Sequence, residues 1–460
     1  MSFAPVLDRR RSGVLLHPSS LPGKGALGGR LGPKASRFCD FLQASGFSIW
    51  QTLPLTPRDT AGSPYRSPSA FAIDPDLLDP AEAVSDDSGK PDYADFCYAQ
   101  RYWLDDYALY TVLRSAYAVP WYDWPPALRR RDPEALAETR RDHAEALESV
   151  CHTQFLCHRA WQRIKHYANA RGIRLFGDLS FFVAYDSADV WAQPQLFQLD
   201  DRGRMTANTG VPPDYFAAHG QLWGMPHYDW AAIEASGWQW WIERVRRQLD
   251  LFDLLRLDHF RGLAAAWHIP ACAQHAETGR WAPGPGDNFL EALQEALGPL
   301  PLVAEDLGQI TPDVRALRDR NGLAGMRVLQ FAFGGSASNI HLPHNHIPNV
   351  VVYTGTHDNN TLAGWWAHDC DERLREHVEN YFGDPSLIPD AMRRAALASV
   401  ARWAIMPMQD LLGLGATARM NTPGTATGNW AWRMDSLPND GELSAHCHAL
   451  NHLYGRLATE

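Results

Sequence analysis

Eight short apolar runs recur along this 460-residue chain, at 13–18, 48–55, 173–181, 254–260, 300–307, 326–333, 350–358 and 403–412. Each is long enough for one strand, and most carry little polar interruption, as a parallel strand buried on both faces should. Parallel neighbours need crossover connections, and helical patterns lie between the runs. ASRFCDFLQASG (35–46), DNFLEALQEALG (287–298) and TPDVRALRDRNG (311–322) each combine an apolar face with a closing glycine. In the third, Thr311 is placed as N-cap, Pro312 fits the first turn and Gly322 fits the stop. This alternation predicts an α/β fold, a (β/α)8 TIM barrel. A doubly wound open sheet is the rival. No glycine-rich fingerprint opens a helix after the first strand, which weakens its nucleotide-binding version.

Two stretches are too long for simple connections. Residues 82–165 predict a helical insertion, and 185–240, rich in Gly, Pro and aromatics, predict an aromatic loop subdomain. The whole of 1–460 reads as a single catalytic barrel carrying these two insertions.

The formal charge of −11 argues against nucleic acid or an anionic membrane as partner. A neutral polymer such as a polysaccharide would not be repelled. Eighteen Trp and fifteen Tyr could stack on sugar rings, although large aromatics also fill cores, so their number alone decides nothing. Seven scattered cysteines without a CxxC suggest neither a disulfide framework nor a zinc site. No run reaches the roughly 18 apolar residues of a membrane span, and MSFAPVLDRRRSG does not read as a secretory signal. The expectation is a cytoplasmic location.

Three of the apolar runs lead to a carboxylate at or near their ends: Asp258 in LLRLDHFRG, Glu305 in PLVAEDLG and Asp358 in VVYTGTHDNN. An acid just past a buried strand sits where a barrel builds its active site. Two such acids can run a retaining glycosidic reaction, with carboxyl groups roughly 5–5.5 Å apart. Arg256 shares a strand face with Asp258, and a neighbouring guanidinium favours the ionised form a nucleophile needs. A structural Arg–Asp pair is the plainer reading. Asp306, beside Glu305, is expected to push the Glu305 carboxyl upward and favour a proton donor; alternatively, either acid simply pairs with an arginine. His357, Asp358 and Asn359 form a polar cluster suited to sugar hydroxyls, with Asp178 a fourth acid at a strand end. HLPHNHIP (341–348) falls in an expected loop and no HExxH spacing occurs, so neither a metal nor a cofactor is expected. Tyr65 in SPYRSPSAFA belongs at the barrel mouth, and Trp223 in GQLWG is placed as an aromatic platform or a buried anchor.

These segments, in order, resemble one family: the 4-α-glucanotransferases known as amylomaltases or disproportionating enzymes, glycoside hydrolase family 77. The resemblance rests on GVLLHPSSLPG (13–23), WQTLPL (50–55), SPYRSPSAFA (63–72), VAYDSADVWA (183–192), GVPPDYF (210–216) and GQLWG (220–224). It continues through RLDHFRG (256–262), AEDLG (304–308), GTHDNNT (355–361) and QDLLGLGATARMNTPGTATGNW (409–430). It implies Asp258 as nucleophile, Glu305 as general acid/base and Asp358 as the acid gripping the distorted donor sugar. Arg256 and His357 would support that subsite, with Tyr65 and Asp178 nearby. Tyr215, Phe216, Gln221 and Trp223 would lie on the loop covering the donor–acceptor junction, and Asn429 and Trp430 near the groove. The implied partners are malto-oligosaccharides and other α-1,4-glucans. Arg66, Pro68, Ile73-Asp74, Ser180, Met225 and His227 depart from the usual pattern, which bears on subsite preference.

Overall fold

The computed structural model describes residues 8–23, 29–83, 91–213, 219–425, 427–438 and 441–458. Eight parallel strands form its centre: β1 (Arg11–Leu15), β2 (Ile49–Gln51), β3 (Arg174–Leu179), β4 (Leu254–Leu257), β5 (Leu302–Ala304), β6 (Gly325–Val328), β7 (Val350–Tyr353) and β8 (Trp403–Pro407). Each lies within or against one of the apolar runs, and several runs extend past the strand's C-terminal end, into the segments that carry the acids. Hydrogen bonding follows the order β6-β7-β8-β1-β2-β3-β4-β5. A parallel bridge from Val303 to Ala324, with the Ala304 N–H donating to the Ala324 carbonyl at 2.8 Å, brings β5 back to β6 and closes the ring. The fold is a TIM barrel.

Side-chain alternation divides the strands between two apolar clusters. Leu15, Ile49, Phe176, Leu254, Val303, Met326, Val328, Val351, Tyr353, Trp403 and Ile405 pack together inside the barrel. Leu255, Leu257, Leu302, Ala304, Val350, Val352, Ala404 and Met406 belong to the cluster shared with the helices. This parity positions the site. Counting from the inward residues Leu254, Phe176 and Val303 points Arg256, Asp258, Asp178 and Glu305 inward, and Asp306 outward.

Helices follow the sequence cues. Pro33–Ala44 begins with proline in its first turn, Gly286–Leu297 stops at Gly298 with φ 78°, and Pro312–Arg320 is followed by Gly322 at φ 64°. Thr311 occupies the N-cap position but makes no side-chain cap; its hydroxyl accepts from Arg261 Nη1 at 3.1 Å.

Between β2 and β3, helices Pro91–Tyr117 and Ala144–Asn169 pack on each other. Buried Trp161 of the second donates to the Leu251 carbonyl at 2.8 Å, tying this unit to the barrel. Between β3 and β4 the chain forms two strands, Ala207–Val211 and Gln221–Pro226, which join Ala265–Pro270 and Arg280–Pro283 in a four-stranded antiparallel sheet. Its two halves follow the C-terminal ends of β3 and β4 in the chain. The run after β4 contributes half of it, although nothing in AAWHIP or RWAP announced strands.

The barrel seam joins the two ends of the chain. β1 pairs with β8 from Arg11↔Trp403 to Leu15↔Pro407. Fully buried Arg456 donates to the carbonyls of Arg11, Ala396, Leu397, Ser399, Ala401 and Arg402 across this seam.

Candidate active site

Arg256 is the electrostatic centre of the barrel mouth. Its Nη1 donates to both oxygens of Asp178 at 2.8 Å each, and Nη2 lies 2.8 Å from Asp258 Oδ1. Asp178 is buried, whereas the Asp258 side chain keeps 27% of its surface open to the groove. Two carboxyl groups thus share one guanidinium at the barrel mouth. Burial pushes the Asp178 carboxyl above its ordinary value, with the Arg256 charge opposing it. Tyr65 completes the set by donating to Asp178 Oδ2 at 2.8 Å. Burial, and then the Asp178 charge, hold that phenol well above its ordinary range, so it stays a donor.

Glu305 faces the same space from β5. Each of its oxygens accepts a main-chain N–H, Oε2 from His259 at 2.8 Å and Oε1 from Leu307 at 2.9 Å. Burial raises its carboxyl to about 7; Arg256 pulls it down, Asp258 pushes it up, and the two N–H donors lower it. A carboxyl poised near 7 can give and take a proton at neutral pH. The shift does not come from Asp306. That side chain points out of the barrel, paired with Arg318, 3.5 Å from Arg327 Nη1, and accepting the Met326 N–H at 2.6 Å. Successive residues at a strand end face opposite ways, so adjacency in sequence placed the two acids apart.

The wall opposite is built after β7. The Tyr65 ring stacks on His357 with centroids 5.0 Å apart and planes at 15°, and Trp430 closes the group at 5.7 and 5.9 Å from the two. His357 Nε2 stands 3.3 Å from Asp358 Oδ1. Asn421 donates to the same oxygen at 2.6 Å, and Arg419 Nη2 to the Asp358 carbonyl at 2.6 Å. Asp358 Oδ2 has no protein donor among the described residues.

On the remaining side, Trp223 donates to Gln221 Oε1 at 3.1 Å and sets its ring edge-on to His259, centroids 5.0 Å apart at 85°. Tyr215 and Phe216 lie outside the described residues. Asn429 turns its amide onto its own loop, accepting the Thr422 N–H at 2.9 Å and donating to the Thr425 carbonyl at 3.0 Å. The barrel therefore gathers Asp178, Asp258, Glu305, Arg256, Tyr65, His357, Asp358 and Trp430 directly, with Gln221 and Trp223 reaching it through His259. Sequence reasoning missed His259, Asn421 and Arg419. His259 stood inside the quoted RLDHFRG motif, so its place beside Asp258 was the available signal. The other two stood inside the quoted 409–430 motif, where nothing local tied them to Asp358. Among the described residues, no cluster of three or more His, Cys, Asp or Glu could hold a metal ion, and no helix is long and apolar enough to cross a membrane.

Comparison with known proteins matches the family described as 4-alpha-glucanotransferase over residues 16–88 and 81–438. The chain belongs to the 4-α-glucanotransferase family. It is accordingly an enzyme of the glycosyl-transferring class. It is 43% identical to the 4-alpha-glucanotransferase of Synechocystis, covering 98% of this chain and 99% of that one. Against the Thermus thermophilus 4-alpha-glucanotransferase the identity is also 43%, with 95% and 96% covered. The amylomaltase from Streptococcus agalactiae, solved with acarbose, superposes with a TM-score of 0.92 at 33% identity, covering 97% of this chain and 100% of that one.

Several residues that depart from the usual glucanotransferase pattern have defined places in the structure. Ile73 is buried, and its main chain exchanges hydrogen bonds with Gln154 at 2.9 Å each way. Asp74 pairs with Arg58 at 2.6 Å and caps a short turn. The Ser180 carbonyl accepts from Arg244, and the Pro68 carbonyl from the Ala188 N–H at 2.8 Å. Met225 is buried and His227 stacks on His268 at 4.8 Å within the antiparallel sheet. Arg66 alone is largely exposed, 3.8 Å from Asp59.

Proposed function

We propose that this glucanotransferase moves α-1,4-glucan segments between malto-oligosaccharides by a two-step retaining reaction. Asp258 attacks the anomeric carbon while Glu305 protonates the departing 4-oxygen, forming a covalent β-glucosyl enzyme. The 4-hydroxyl of glucose or another malto-oligosaccharide then attacks, Glu305 takes its proton, and the α-1,4 bond is restored. The observation carrying this reading is the asymmetry between the two acids. Asp258 lies against Arg256, and Glu305 is raised to about 7. One carboxyl suits a nucleophile and the other a proton shuttle.

The neighbours supply binding. Asp358, with one oxygen held by Asn421 and the other open, is suited to grip hydroxyls of the distorted donor sugar. Tyr65, Asp178, His357 and Trp430 line the same subsite, with Asn429 shaping the adjoining loop. Tyr215, Phe216, Gln221 and Trp223 would cover the junction and keep water from the intermediate, which separates transfer from hydrolysis. We read the whole of 1–460 as one catalytic barrel with insertions at 82–165 and 185–240.

Incubation with maltotriose tests the activity: transfer produces a ladder of longer oligomers, whereas glucose and maltose alone would mean hydrolysis. The Asp258→Ala variant should form no ladder. A full ladder from that variant would remove Asp258 as the nucleophile.

A further inference from the structure

His259 combines three properties that its place next to the nucleophile does not require. It is a non-glycine residue in the left-handed region, φ 49° and ψ 46°. Such a backbone costs on the order of 1 kcal/mol or more and persists only when its surroundings impose it. Its Nε2 is buried and has no hydrogen-bond partner among the described residues. The ring is held by aromatic contacts instead: Trp223 edge-on at 5.0 Å, Phe182 at 5.9 Å and Phe181 at 6.3 Å. The turn that results directs the His259 main-chain N–H to Glu305 Oε2 at 2.8 Å and its carbonyl to the Gly262 N–H at 2.8 Å.

We propose that His259 is a positioning residue for the acid/base, its ring clamped by Trp223 and Phe182 so that the left-handed turn aims a backbone donor at Glu305. The proposal rests on Glu305 being the acid/base. The imidazole performs no proton transfer in it. Burial, with the Arg261 charge adding, holds the ring down at about 4 against the pull of Asp258, so it is neutral while the enzyme works. The sheet strand bearing Trp223 thereby touches the proton donor through two contacts. Displacing that strand would loosen Glu305 without any group on the sheet reaching the carboxylate.

The charged groups acting on Glu305 are Arg256 and Asp258, both on the segment that ends β4; Asp306 faces away. An N–H bond to the ionised carboxylate favours that form, so losing it raises the value at which Glu305 gives up its proton. The first step needs Glu305 protonated. The alkaline limb of its rate profile should therefore move to higher pH when the clamp is removed.

The test uses phenyl and 4-nitrophenyl α-maltosides as donors with glucose as acceptor, measuring kcat/KM for the donor, which reports the first step alone. Both present an aryl leaving group of nearly the same shape, so any stacking lost with Trp223 falls on both alike. Phenol needs a proton to leave; 4-nitrophenol needs it far less. His259→Asn keeps a residue tolerant of the left-handed turn but deletes the ring, and Trp223→Ala deletes the clamp from the sheet side. For either variant, phenyl maltoside should lose at least about tenfold more rate than 4-nitrophenyl maltoside, with the alkaline limb moved upward. Trp223→Phe should restore the wild-type ratio to within about threefold. Equal losses on both donors with an unmoved limb would overturn the proposal. Should His259→Asn fail to fold, Trp223→Ala carries the same readout. Glu305→Gln in the same assay separates the two layers of the argument. If it too loses both donors equally, the acid/base assignment itself falls; if it spares only 4-nitrophenyl maltoside while the other variants do not, His259 has no positioning role.

Discussion

Replacing Glu305 by Gln should destroy transfer and yet stabilise the fold at alkaline pH relative to acid pH. The carboxyl is raised from 4.5 to about 7, chiefly by burial. Such a group is held neutral when folded and ionises freely when unfolded. Stability is fully present below the unfolded value, falls as pH rises from about 4.5, and levels off once pH passes about 7. At 1.36 kcal/mol per unit, the penalty reaches about 3 kcal/mol at pH 8 and about 1 kcal/mol at pH 5. Gln has no such dependence. It does carry an opposing cost, because its NH2 cannot accept one of the two main-chain N–H groups on Glu305, an orphaned donor worth about 1–3 kcal/mol. That cost does not vary with pH, so comparing two pH values removes it. The stability of Glu305→Gln relative to wild type should therefore rise by about 2–3 kcal/mol from pH 5 to pH 8, equivalent to about 2–3 °C for a chain of this length. Urea or thermal denaturation followed by tryptophan fluorescence at pH 5, 6.5 and 8 measures it. A difference that stays constant across pH, or shrinks toward pH 8, would refute the reasoning that burial strains this carboxyl.

Arg256→Met leaves Asp178 and Asp258 without their shared cation; breaking such a buried pair should cost about 3–5 kcal/mol of stability. The same change should lower transfer about 10–150-fold through the lost charged bond to Asp258. It should also move the alkaline limb of kcat/KM upward, since Arg256 favours ionised Glu305; an unmoved limb would contradict that coupling. Tyr65→Phe keeps the stack on His357 but removes the donor to Asp178, and should cost about 1.5–3 kcal/mol in denaturation. Unchanged stability would mean the bond is not made in solution. Arg456→Met removes a donor from six buried carbonyls, of which Leu397, Ser399 and Arg402 keep another, and should cost at least about 3 kcal/mol while leaving kcat per folded molecule intact, a separation that active-site titration can check.

The barrel was legible because buried parallel strands write continuous apolar runs, and the acids because they stand at the ends of those runs. Arg256 and Asp258 were paired correctly from their spacing of two, which the structure returns as a 2.8 Å contact. The same alternation, applied to Glu305 and Asp306, would have separated them; adjacency misled where parity would not. The antiparallel sheet stayed hidden for a different reason. Its strands are short, interrupted by Gly210, Gly224 and Pro226, and find their partners across β4. Asn421 and Arg419 stood inside the quoted 409–430 motif, but their contact with Asp358 spans some sixty positions that include helices and β8, so no local pattern assigned them to that acid. His259 was in view beside Asp258, but no local pattern announced its left-handed backbone.

The seam between β1 and β8 has a consequence for the order in which the molecule can be made. The first strand emerges from the ribosome with one edge that only residues 403–407 can cover. Synthesis at about 5–20 residues per second leaves that edge open for roughly 20–80 s. Arg456, which follows β8 in the chain, can reach the seam only later still. Until β8 arrives one edge of β1 stays unpaired while β2 covers the other, so that edge is a template for edge-to-edge pairing during synthesis.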